Sequence, residues 1–387
     1  MDLTALSSTE VQSWIHEHLS QNAYDLALKK PPFSDISMGD LVQQVQGWQV
    51  AKRKFPKLFD DTECLFPPKL NLEQTSSAAT ASYKSQHIKG QEIVDITGGF
   101  GIDCLYFAQS FKKVYHIERI EELQAIVAHN TKKLKVTNIV SYAADGIEFL
   151  NLHPEINDIL YVDPARRNPN QKKVFLLEDL SPNILDYIQI WNERFNEVWI
   201  KLSPIIDIHY LIKTIPELSQ IHLVAVKNEL KEVLIQTKKN PLQQLIAINL
   251  ETAQNPWSVD WFASYPTPMY SEVSDYIYEP NAPIQKSGFI DILATQFDVA
   301  KLHPNSQLFT SDHFYPNFPG RVYKIVDLIK NPKKALKGKS IQAIHRNFPE
   351  PLAQLKKKYR FSTDGNDPII FTQTLNQVLI LEAEQMT

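Results

Sequence analysis

Four short apolar runs end, in order, on acidic or glycine residues whose types suit a single nucleotide-sized ligand. Ile93-Val94-Asp95-Ile96-Thr97-Gly98-Gly99-Phe100-Gly101 breaks from an apolar run into glycines and then into helix-like sequence. Glu118 ends the run Val114-Tyr115-His116-Ile117, and Asp145-Gly146 follows the run 138–144. Ile159-Leu160-Tyr161-Val162 ends in Asp163-Pro164-Ala165-Arg166-Arg167. A strand that passes through a glycine turn into a helix presents backbone N–H groups to an anion or nucleotide. Glycine permits the close approach and the positive φ that such a turn needs. An acidic residue about 20 positions later suits ribose hydroxyls, and Glu118 lies 23 positions after Asp95. The spacing Asp-x-Thr-Gly-Gly-x-Gly differs from the Gly-x-Gly-x-x-Gly of dinucleotide sites. That difference favours an adenosyl group over a nicotinamide cofactor. A tight turn with a surface glutamate would account for the first motif alone, but not for four such ends in succession.

These residues need a sheet to carry them. Short β-branched runs at 92–96, 113–117, 138–144, 158–162, 197–202, 220–226 and 232–237 alternate with helix-patterned segments at 102–110, 120–135, 146–151, 178–194 and 207–218. Such alternation predicts a parallel, doubly wound α/β sheet covered on both faces. The last two runs are too close for a helical crossover, so they are expected to pair antiparallel. Ligands of such sheets bind beyond the carboxyl ends of the strands, where all four motifs lie. Residues 1–72 read as a helical region (Leu3 to Leu19, Ala23 to Leu28, Met38 to Lys52), with Pro56, Pro67 and Pro68 marking a linker. Beyond 240 the alternation stops: residues 241–310 are expected to form a small α+β, ferredoxin-like module and 311–387 a second, basic one.

Around these motifs the segment 92–229 resembles the class I S-adenosylmethionine-dependent methyltransferases, with their Rossmann-like seven-stranded sheet and antiparallel last strand. More narrowly, Glu73-Gln74-x-Ser76-Ser77-x-x-Thr80 ahead of Asp95-to-Gly101, with Asp163-Pro164-Ala165-Arg166 later, resembles bacterial methyltransferases that carry a THUMP-like C-terminal domain. Arg346-Asn347-Phe348-Pro349, Lys356-Lys357-Lys358 and Asp364-Gly365-Asn366-Asp367 fit that C-terminal pattern. The resemblance implies S-adenosyl-L-methionine as cofactor. Asp95, Thr97, Gly98, Gly99, Phe100 and Gly101 would lie under its methionine part, Glu118 on the ribose hydroxyls, and Asp145 with Gly146 at the adenine. Thr80 is a further candidate contact, although helix capping explains it equally well.

Methyl transfer from a sulfonium is an in-line displacement, so catalysis rests on aligning the nucleophile. Asp163 with the rigid Pro164 could orient an exocyclic amine. Methyltransferases acting on base amino groups carry an aromatic residue where this chain has Arg166, so the usual stacking platform is missing and the acceptor atom stays open. Arg166 and Arg167 can stack on bases or bind phosphate, or they are solvated loop residues. Cys104 is expected behind the glycine turn as a buried thiol, which disfavours a cysteine nucleophile.

Net charge is −4 over 387 residues, but the segment from Arg321 to Arg360 holds twelve Lys/Arg against Asp327 and Glu350, so it carries +10 and the remainder −14. Confined positive charge suits a polyanion. Lys333, Lys334, Lys356, Lys357 and Lys358 are candidate phosphate contacts, with Tyr323, Phe348, Tyr359 and Phe361 among them to stack on unpaired bases. The leading expectation is therefore a methyltransferase acting on a base nitrogen in tRNA or rRNA. A non-catalytic RNA-binding protein of the same fold, or a methyltransferase for protein or small molecules, are the alternatives. Two widely separated cysteines and dispersed histidines argue against a disulfide framework or a metal site. No apolar run approaches the ~20 residues that span a bilayer and the first 20 residues are polar, so the chain is expected to be cytoplasmic.

Overall fold

The computed structural model describes residues 2–59, 63–166, 176–238 and 241–386. It divides into two compact units, 1–220 with 231–242, and 221–230 with 243–387, so the division passes through the final hairpin of the alternating region.

All seven expected runs are strands: β1 (Glu92–Asp95), β2 (Lys113–Glu118), β3 (Ile139–Ala143), β4 (Ile159–Val162), β5 (Glu197–Leu202), β6 (Leu218–Val226) and β7 (Glu229–Thr237). In the first unit β1 lies between β2 and β4, with β3 outside β2 and β5 outside β4, every pair parallel. β7 closes this run antiparallel to β5, with Val198 opposite Thr237 and Leu202 opposite Val233. The central strand β4 is apolar and buried at all four positions, as a strand covered on both faces requires, whereas the edge strand β3 is buried at none. The turn Lys227-Asn228 between β6 and β7 uses positive φ at both residues, 50° and 66°. That is the conformation of the tightest hairpin turns.

The N-terminal helices are not a separate body. Helix Met38–Lys54 buries Leu41, Val45, Trp48 and Ala51 on one stripe, the spacing of an amphipathic helix. That stripe shares one apolar cluster with Phe66 of the following linker and with Phe100, Ile102, Leu105, Leu123, Ile126 and Val127 of the α/β portion. Asn130 and Leu65 exchange two 2.8 Å hydrogen bonds across the same seam.

In the second unit strand 244–250 pairs antiparallel with 257–260. A separate seven-stranded sheet runs in the order 300–301, 309–311, 276–280, 320–328, 378–386, 368–373, 342–345. Only its last pair is parallel. The expected boundary between residues 310 and 311 therefore runs through one sheet: Ile277 pairs with Tyr323 and Tyr278 with Val322. Composition marks the charge change near that point, but hydrogen bonding does not follow it. Among the described residues no helix is long and apolar enough to cross a membrane.

Candidate functional site

The carboxyl ends of β1, β2 and β4, with the N-terminus of the helix that follows β3, open onto a cavity of about 960 Å³. Asp95, Thr97, Gly98, Gly99, Phe100, Gly101, Glu118, Asp145, Gly146, Asp163 and Pro164 all line it. Four sequence motifs separated by up to 68 positions are thus brought to one wall by parallel strand order alone.

The turn after β1 is built around its own amides. Gly98 N donates to Ile117 O, Gly101 N to Gly98 O, both at 2.9 Å, and Gly99 N to Glu118 Oε2 at 2.9 Å. The glycine amides are therefore spent within the protein instead of being offered to an anion. Gly99 and Gly101 adopt φ of 55° and 75°. At Gly98 the reason for glycine is different: a Cβ there would lie 2.4 Å from the His116 ring. His116 is fully buried beneath the turn, with Nε2 3.1 Å from Gly99 O and Nδ1 2.9 Å from Ser141 Oγ. Burial lowers its pKa, so a neutral ring with Nε2–H donating to Gly99 suits this geometry. Phe100 turns away to pack between Phe59 and Phe66, ring centroids 6.1 and 5.9 Å away.

Glu118 accepts from Gly99 N with one carboxylate oxygen and from Ile120 N, 2.8 Å, with the other. Asp145 caps the next helix, Oδ1 accepting from Ile147 N and Glu148 N. Gly146 is where that helix touches the turn after β1, since a Cβ would sit 2.3 Å from Ile96 O. Asp95, 2% exposed, accepts at Oδ1 from the amide and hydroxyl of Thr97 at 2.9 and 3.0 Å. Burial pushes its carboxyl up to about 7, with nearby Asp103 and Asp163 adding to the rise and Thr97 opposing it. Cys104 is buried with Sγ 3.5 Å from Asp95 Oδ2, and burial first, then Asp95, keeps it a neutral thiol.

Asp163 is held from two sides. Thr97 Oγ1 accepts from its amide at 2.6 Å, and its carboxylate Oδ2 forms an ion pair with Lys201 at the end of β5. Behind this pair lies a buried polar network that sequence reasoning did not find. Ser76 Oγ donates to Asp103 Oδ2 at 2.9 Å and accepts from Lys84 at 2.8 Å and Lys201 at 3.4 Å. Lys84, with no exposure, also reaches both oxygens of Glu232 at 3.0 Å and lies 3.3 Å from Asp103 Oδ1. Tyr161 donates to Asp103 Oδ2 at 2.8 Å. Burial alone would raise Asp103 and lower Lys201; Lys84 and Lys201 hold Asp103 below the ordinary carboxylate value, and Asp163 foremost holds Lys201 above the ordinary lysine value. Lys54 clamps the segment 72–75, whose Gln74 and Thr75 line the cavity, donating to Leu72 O at 2.8 Å, Glu73 O at 3.1 Å and Thr75 Oγ1 at 3.0 Å. Burial, reinforced by Lys201, lowers it to about 8.

Several expected contacts fall elsewhere. Thr80 is not at the cavity: Ser77 N donates to its Oγ1 and Thr80 N donates to Ser77 Oγ, a closed capping box starting helix Ala78–His87. Asn71, Gln74, Thr75 and Ser76 line the cavity in its place. Ala165–Arg166 forms a two-residue ladder with Leu180–Ser181; Arg167 lies outside the described residues. In the second unit Lys333 and Lys334 are exposed on helix Pro332–Ala335. Lys356, Lys357 and Lys358 occupy helix Leu352–Tyr359, where Lys358 is paired with Glu350 at 2.7 Å. Tyr323 is wholly buried, its hydroxyl 3.3 Å from Glu279, and Phe361 is buried against Phe371. These two aromatics are core residues and not stacking platforms, because their strand and loop positions face the sheet interior.

Residues 276–319 match the model of a ferredoxin-like domain. No curated protein matches the sequence. A crystal structure of a candidate methyltransferase from Porphyromonas gingivalis W83 is 26% identical, with a TM-score of 0.86, covering 97% of this chain and 96% of that one. An rRNA methylase from Streptococcus thermophilus, 16% identical, matches 41% of this chain and 92% of its own with a TM-score of 0.29. TrmK of M. capricolum, in complex with S-adenosyl-homocysteine, is 17% identical over 42% of this chain and 68% of its own, with a TM-score of 0.31. The chain has the Rossmann-like α/β fold of methyltransferases.

Proposed function

We propose that this chain is a class I S-adenosyl-L-methionine-dependent methyltransferase that methylates a base nitrogen in structured RNA. The observation that carries the reading is the chemistry of the cavity. Among the described residues its lining includes seven carboxylates and two cations, Arg119 and Lys201, and the amides of Gly98, Gly99 and Gly101 are already bonded. Such a wall repels the pyrophosphate of a dinucleotide and suits a ligand with a sulfonium, an ammonium and no phosphate. The likeness to the Porphyromonas protein over nearly the whole chain supports the same reading.

The residues present fit that donor. Asp95 and the 97–101 turn would hold its methionine part, Glu118 the ribose hydroxyls and Asp145 the adenine amino group. When bound, the donor supplies an electrophilic methyl group. Asp163 and the Pro164 carbonyl would accept the N–H bonds of an acceptor amine and aim its lone pair in line with the methyl–sulfur bond. Lys201 and the Thr97 hydroxyl keep Asp163 from swinging away. Asp163 or water would take the proton that the amine releases on methylation. The basic helices at Lys333–Lys334 and Lys356–Lys358 would grip phosphates in a THUMP-like manner.

Calorimetry with S-adenosylmethionine and S-adenosylhomocysteine tests the donor. Wild type is expected to bind both, and Glu118→Ala to bind at least about tenfold more weakly, the worth of hydrogen bonds to a charged group. Binding of NAD in their place refutes the reading. Changing Lys356, Lys357 and Lys358 to Glu is expected to cut methyl transfer into total RNA while donor affinity holds. Unchanged transfer would move the acceptor to protein or small molecules.

A further inference from the structure

The Asp-Pro-Ala-Arg turn has no aromatic residue of its own, yet the structure brings one to it from another element. Ala165–Arg166 pairs antiparallel with Leu180–Ser181, Ala165 opposite Ser181. Helix Ile184–Arg194 starts three residues later, with Asn183 as its N-cap accepting from Leu185 N at 3.2 Å. The short ladder therefore fixes the helix start beside Asp163-Pro164. Residues four apart share a helix face, so Asn183, Tyr187 and Trp191 form one column. The first two line the cavity with Asp163, Pro164, Ala165 and Pro182. Trp191 is buried and stacks on Tyr187, with ring centroids 5.6 Å apart and planes 17° from parallel. Tyr187 is half-buried: one side of its ring is braced by an immobile indole while the residue borders the cavity.

We propose that Tyr187 is the stacking platform for the acceptor, and that the acceptor group is a flat aromatic base laid between Tyr187 and the Asp163-Pro164 turn. This rests on the methyltransferase reading above and deepens it. A braced ring loses little freedom on stacking, and its π face accepts any base. The orienting groups on Asp163 and Pro164 then choose the atom.

The test uses the full chain, S-adenosyl-[methyl-³H]methionine and total RNA from cells lacking the gene. Tyr187→Ala and Tyr187→Leu are expected to raise KM for RNA by about fivefold or more, the lower end for loss of one base–aromatic stack. Tyr187→Phe and Tyr187→Trp should restore it to within about twofold. Donor affinity by calorimetry should match wild type in all four, which a merely misfolded variant would not show. Wild-type KM in Tyr187→Ala, or a Tyr187→Phe variant as impaired as Tyr187→Ala, overturns the platform while the methyltransferase reading stands. Wild type that binds donor but transfers no methyl to RNA overturns the RNA reading and the platform with it.

Discussion

The buried carboxyl of Asp95 links pH to stability and, on the proposed function, to donor binding, and the link can be measured. Its pKa rises from 3.8 to about 7 because burial disfavours the charge and Asp103 and Asp163 add to that. A folded-state value above the unfolded one means that the folded chain binds this proton more tightly. The stabilisation is complete below pH 3.8 and is lost as pH rises through 7. At about 1.4 kcal/mol for each factor of ten, ionised Asp95 costs the ligand-free protein roughly 4 kcal/mol above pH 7. Asp95→Asn keeps an acceptor for Thr97 without the charge. Urea unfolding of the two proteins from pH 4 to 8 should therefore show Asp95→Asn gaining on wild type as pH rises, with the gain levelling off above 7. Taking the difference cancels the titration of the other groups. If a cationic donor selects the ionised carboxylate, the competent fraction falls from about 10/11 at pH 8 to about 1/11 at pH 6, weakening wild-type donor affinity about tenfold. Asp95→Asn should bind weakly at both. A pH-independent stability difference, or equal pH dependence of donor binding in the two proteins, refutes the reasoning.

Two further substitutions probe the scaffold. Gly98→Ala sets a Cβ 2.4 Å from the His116 ring, and the displaced turn should lose about 1–3 kcal/mol together with donor affinity; an alanine variant with wild-type urea midpoint and Kd would show that His116 does not brace the turn. Lys84→Met leaves Glu232 and Asp103 buried beside a methyl group, at a cost of about 3–5 kcal/mol by chemical denaturation; a loss below about 1 kcal/mol would mean that the network is solvated.

Residue types and spacing alone specified the periodic order of strands and helices and the four motifs at strand ends. These are local properties: alternating β-branched runs, glycines that break a strand, and an acid just beyond it. Parallel order then forces Asp95, Glu118, Asp145 and Asp163 to one edge, so their meeting at one cavity wall was legible before any coordinates. What tertiary structure decided lies in side chains that meet only through packing. Ser76, Lys84, Lys201 and Glu232 come from four segments and look like ordinary polar residues until burial forces them to satisfy one another. Thr80, four residues from Ser76, faces the wrong way because a capping box claims it. Tyr187 reaches the cavity only because a two-residue ladder pins its helix beside Asp163. The basic end shows the same division: its charge is plain in the sequence, but only the sheet reveals that Tyr323 and Phe361 are core. Local pattern records which face a residue prefers, whereas the partner across a cavity is set by chain segments whose separation in sequence carries no information about their distance in space.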